Sequence, residues 1–102
     1  MKTVCILVVA ALVLTIPILL GAAEEGPALY EANCSVCHGA KGEGNADTEM
    51  PKIIGTSMTL EQITAYITKG DETKMMHASP IGGVTEAQAK LIAAHVKSLK
   101  DQ

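Results

Sequence analysis

Apolar residues follow two different patterns along the chain. From Val4 to Leu20 they form a nearly unbroken run, interrupted only by Thr15 and Pro17, with Lys2 before it and Gly21-Ala22-Ala23 after it. A positive start, an apolar middle and small residues ahead of the first acids, Glu24 and Glu25, is the layout of a secretory signal peptide. The run is also at the short end of what spans a bilayer, about 17–25 residues. Residues 1–23 are therefore expected to be a cleaved signal peptide, with an uncleaved N-terminal anchor as the competing expectation. Residues 24–102 then form one small domain. Cys5 lies near the start of the apolar run, where no lipidated N-terminus would be made, and reads as filler that leaves with the peptide.

Beyond Glu25 the apolar positions recur at helical spacing in three places. Gly26 to Asn33 reads as a short helix with Leu29 and Tyr30 as its larger apolar residues. Thr59, with Gln62 three residues on, is a capping box that opens a second helix. Ile63, Tyr66 and Ile67 form its apolar face, and Gly70 is placed to end it. Thr85 and Gln88 repeat the box before a third helix that should run to about Lys100, with Leu91, Ile92, Val96 and Leu99 on it and lysines at its C-terminal end. Between these, Cys34 to Asp47 reads as a glycine-rich loop and Met50 to Gly55 as an extended segment. Residues 71–83 read as a second loop. No alternating strand pattern and no repeat is visible. The fold class is all-α with long loops.

Composition changes this picture in one respect. There is no Phe and no Trp, and Tyr30 and Tyr66 are the only aromatic side chains apart from three histidines. Aromatic rings normally supply the largest blocks of buried area, and a domain this small usually needs a disulfide, a metal or another staple. Something other than side chains is expected to fill the middle. Charge excludes one class of partner. Of the eight bases, all lysine, only Lys2 precedes Ala23, so seven lysines face eleven acids in the remainder, and they are scattered. Nucleic-acid binding has no electrostatic footprint here.

The chemistry sits in Cys34-Ser35-Val36-Cys37-His38. A thioredoxin-like redox pair would follow a βαβ pattern, and no strand precedes it. A structural zinc site needs four ligands, and only His77 and His95 remain as strong candidates, without a paired second half. Covalent heme attachment explains why a histidine directly follows the second cysteine. Both thiols add to heme vinyl groups, and the same turn presents an imidazole to the iron. The expected cofactor is one covalent heme c on Cys34 and Cys37, with His38 as the proximal iron ligand. The distal ligand must come from later in the chain; Met50, Met58, Met75, Met76 and His77 are the candidates.

With these residues in view, the chain resembles the small bacterial class I cytochromes c over nearly all of residues 24–102. Gly26 and Tyr30 resemble that family's N-terminal helix, and Cys34 to Gly39 its heme-binding turn. Met50-Pro51-Lys52-Ile53-Ile54-Gly55 resembles its central proline segment, and Met75-Met76 with the Thr85 helix its distal-ligand region. The resemblance implies helices wrapped round one heme, with the first and last crossing. It implies the backbone carbonyl of Pro51 as acceptor for the proximal His38; otherwise Pro51 merely stiffens its loop. It implies Met76 as distal ligand, although the interval to Thr85 is about one residue long for the family, which keeps Met75 and His77 as rivals. His95 departs from the pattern, standing where the family usually has an aromatic residue against the N-terminal helix; it is expected to be a packing substitute. The implied function is a periplasmic, non-enzymatic electron carrier cycling Fe(II)/Fe(III), docking briefly with redox proteins at the heme edge. The alternatives are an anchored cytochrome domain serving a larger membrane oxidoreductase, in contact with the membrane only if residues 1–23 are retained, and an enzyme or gas sensor with a labile distal ligand.

Overall fold

A computed structural model describes residues 25–100, so the expected signal or anchor of residues 1–23 lies outside the described residues. Helix α1 covers residues 25–33 and buries Gly26 and Tyr30, one turn apart on the same face. Gly26 is there because α4 passes over it: a Cβ at Gly26 would lie 2.8 Å from the Leu91 carbonyl oxygen and 3.6 Å from the His95 Cβ. The first and last helices therefore meet at backbone contact.

The expected loop from Cys34 is replaced at its start by a second helical turn, α2 (Ser35–His38). Helical bonding passes through Cys34, whose N–H donates to the Tyr30 carbonyl at 2.8 Å, and His38 N–H donates to the Cys34 carbonyl at 3.0 Å. The first glycine after Cys34 is Gly39, and only there, at φ 83°, does the helix stop.

Helix α3 (Leu60–Lys69) and helix α4 (Glu86–Ser98) both begin on the expected capping boxes. At α3, Gln62 N–H donates to Thr59 Oγ1 at 3.1 Å and Thr59 N–H to Gln62 Oε1 at 2.8 Å; the α4 pair is 3.2 and 2.9 Å. Gly70, at φ 74°, ends α3 as expected. Helix α4 stops at Ser98, short of the expected Lys100, because Leu99 turns to extended angles and packs against the core.

Helix α3 packs on α4, and the core is small: Tyr30, Ile63, Ile67, Ala89, Ile92, Ala93 and Val96. Tyr30 and Ile92 are its largest fully buried side chains. Leu29, Cys34, Ile53, Met58, Ile81, Val84 and Leu99 surround it, each only partly buried. The hydroxyl of buried Thr64 donates to the Leu60 carbonyl at 2.8 Å. Among the described residues extended pairing is limited to an isolated bridge between Asn45 and Met50, and the loop over residues 71–83 contains a short 3-10 turn, Met75–His77. No helix of the described residues is long and apolar enough to cross a membrane. Among the described residues the fold is all-α with long loops, as the apolar spacing predicts.

Candidate cofactor site

Cys34 and Cys37 are both free thiols, partly buried. Side chains three and four residues apart share a helix face, so the turn through α2 presents both thiols and the His38 imidazole on one side. Val36, between them, is 90% exposed. Cys34 packs against the core, and burial pushes its thiol above the ordinary range, with the neighbouring Cys37 adding to the rise.

His38 is oriented from behind. Its Nδ1 lies 3.2 Å from the Pro51 carbonyl oxygen, and the neutral tautomer that donates there leaves Nε2 as the ligand nitrogen. The chain between them is folded back tightly to make that contact. Gly44 N–H donates to the His38 carbonyl at 2.7 Å, Asn45 and Met50 exchange bonds of 3.0 and 2.9 Å, and Ile53 N–H donates to the Gly42 carbonyl at 2.9 Å. Gly44 permits this closure twice over: its φ is 74°, and a Cβ would lie 2.6 Å from the Met50 carbonyl oxygen and 2.9 Å from the Pro51 carbonyl carbon.

Tyr30 ties α1 to the end of the same turn, its hydroxyl donating to the Gly39 carbonyl at 2.8 Å. Burial, with negative charge on Cys34 and Glu43 adding to it, pushes the Tyr30 phenol up to about 12, so it stays a donor. His95 fills the space beside Tyr30, ring centres 5.1 Å apart at 57°, and burial lowers its pKa.

The candidates for the opposite side of the iron are distributed unevenly. Met58 packs against the core and Met50 is half-buried beside the bridge. Met75 is 93% and Met76 68% exposed. His77, half-buried, brings its ring to 5.9 Å from that of His38, the two planes within 9° of parallel. Burial, then the neighbouring His38, holds the His77 imidazole below its ordinary pKa. Tyr66, read from sequence only as part of the apolar face of α3, supports His77 at 5.0 Å and 57°. No local spacing signals that contact, because it joins a helix to a distant loop. A groove between α3 and α4, lined by Leu60, Glu61, Lys69, Glu86 and Lys90 among others, contains none of these residues.

The residues present fit a c-type heme. Two free thiols and a backed imidazole share one helical turn, and partly buried apolar side chains pack against a small core beside it.

Residues 21–96 match the family model described as cytochrome c oxidase, cbb3-type, subunit III. No curated protein and no solved structure matches the chain. The match runs from just before the described residues into the last turn of α4 and takes in the cysteine turn; the chain therefore belongs to this family of cytochrome c domains, which bind covalent c-type heme and transfer electrons.

Proposed function

We propose that the protein is a periplasmic electron carrier with one heme held by thioether bonds to Cys34 and Cys37. His38 is its proximal iron ligand, and the Met75–His77 turn supplies the distal side, where the family resemblance implies Met76, with Met75 as the alternative. The reading rests on the His38–Pro51 contact of 3.2 Å, made by the same helical turn that carries the two free thiols. It sets the imidazole for a metal and raises its basicity.

Cys34 and Cys37 would hold the heme by thioether bonds, each the addition of one thiol to one vinyl group with no net oxidation. The bound heme supplies one-electron exchange between Fe(III) and Fe(II). The protein's own residues do the rest. Cys34 anchors the turn to the core, Pro51 and Gly44 hold His38, and Tyr30 clasps Gly39. His38 together with a side chain from the Met75–His77 turn would leave no place on the iron for substrate. The excess of eleven acids over seven lysines beyond residue 23 suits redox partners with a basic patch.

Residues 1–23 serve as the export signal, and residues 24–102 form the heme domain. The second reading is an anchored domain serving a larger membrane oxidoreductase, favoured by the family's description as an oxidase subunit. Retention of residues 1–23 in the native protein would select it. The carrier reading is tested by voltammetry of the holoprotein and by adding carbon monoxide to its reduced form. A reversible one-electron wave and an unchanged spectrum are expected; stoichiometric carbon monoxide binding would point to an enzyme or gas sensor instead.

A further inference from the structure

The turn at residues 75–77 offers three neighbouring side chains to the distal face of the heme, and they are not placed alike. We propose that His77, rather than Met76 or Met75, is the distal iron ligand, which makes this a bis-histidine cytochrome. The assignment rests on the reading of Cys34, Cys37 and His38 as the heme-binding turn.

Three observations carry it. The first is distance. Metal–imidazole nitrogen bonds run at about 2.0–2.1 Å, and with about 1 Å more from nitrogen to ring centre, two imidazoles trans on one metal have ring centres about 6 Å apart. The His38 and His77 ring centres are 5.9 Å apart. The second is orientation: the ring planes lie within 9° of parallel, an arrangement open to two axial imidazoles along one metal axis. The third is support. The His77 backbone is pinned on both sides, its N–H donating to the Lys74 carbonyl at 2.9 Å and its carbonyl accepting from Asp71 N–H at 2.7 Å. Its ring is braced by Tyr66 at 5.0 Å. Gly70 lets the carbonyl come this near, since a Cβ there would lie 2.9 Å from the His77 oxygen. Neither adjacent methionine belongs to the apolar cluster, and no comparable ring contact is seen at either among the described residues.

The chemical consequence is a change of ligand softness. A thioether favours Fe(II) and raises the potential, whereas a second imidazole does not. The carrier would then work at a lower potential than a His/Met carrier of the same fold.

The test uses the holoprotein made in cells that attach c-type heme. In the wild-type ferric protein we expect a low-spin spectrum with no sulfur-to-iron charge-transfer band. The double variant Met75→Leu/Met76→Leu should keep that spectrum and its potential. His77→Ala should either become high-spin, with added imidazole restoring the low-spin form, or acquire a sulfur-to-iron band as a methionine takes the position. Its potential should rise in the second case. If His77→Ala does not accumulate, the wild type and the double methionine variant decide the matter by themselves. A sulfur-to-iron band in the wild type that disappears in the double methionine variant would overturn the assignment while leaving covalent heme attachment intact. A wild-type protein without covalent heme would overturn the underlying reading, and this assignment with it.

Discussion

Gly44 and Pro51 act on His38 from a loop whose closure only glycine permits. Adding a methyl group at Gly44 meets the Met50 carbonyl oxygen at 2.6 Å, at a backbone φ of 74° that L-residues avoid. Gly44→Ala should therefore destabilise the holoprotein by about 1–3 kcal/mol and draw the Pro51 carbonyl off His38. Losing that acceptor makes the imidazole a weaker donor, so the reduction potential should rise. A denaturant melt and a redox titration check the two effects separately. His95 gives a second expectation. Burial beside Tyr30 lowers its pKa, so the unfolded chain takes up a proton that the folded one refuses. Stability on this account is full above the unfolded value, about 6.5, and falls as pH drops through it toward the folded value. His95→Phe removes that dependence, and its melting temperature relative to wild type should climb as pH is lowered from about 7.5 to about 5.5. Of these residues, Cys34, Cys37 and His38 are legible in the sequence because they are contiguous. Pro51 is legible only through resemblance. The approach of His77 to His38 is not legible, because it is set by how two loops fold across the molecule.

At the level of elements, the helix starts are readable and the stops less so. A capping box is complete within four residues, so Thr59–Gln62 and Thr85–Gln88 announce α3 and α4 directly, and both bond pairs form. Thr59→Ala and Thr85→Ala should each cost about 1 kcal/mol of stability, nearly additive in the double variant because the two caps share no partner. Chemical denaturation of the holoprotein measures both. A helix end depends on tertiary packing instead. The turn Ser35–His38 extends α1 past the point where its flexible composition suggests a loop, because Gly39 is the first residue to break it. The end of α4 is set by Leu99 leaving the helix to pack on the core.

The whole molecule shows why a cofactor is structural here as well as functional. Among the described residues, seven apolar side chains, two of them alanines and a single one aromatic, make up the buried core. Ordering the backbone costs about 1–2 kcal/mol per residue, and so small a core offsets it poorly. The double variant Cys34→Ala/Cys37→Ala should hold no heme covalently and remain largely unfolded when heme is absent. Circular dichroism with thermal melting checks this, and a compact, cooperatively melting form without heme would contradict it. The lack of Phe and Trp already signals this dependence in the sequence; which apolar groups border the cofactor is set only when α1, α3 and α4 come together. Whether Cys34 and Cys37 carry one covalent heme is read from the intact mass of the protein purified under denaturing conditions. The expected mass is that of the polypeptide plus one heme, with that increment lost when both cysteines are replaced by alanine. A mass equal to the polypeptide alone, or to the polypeptide less two hydrogens for a disulfide, would contradict it.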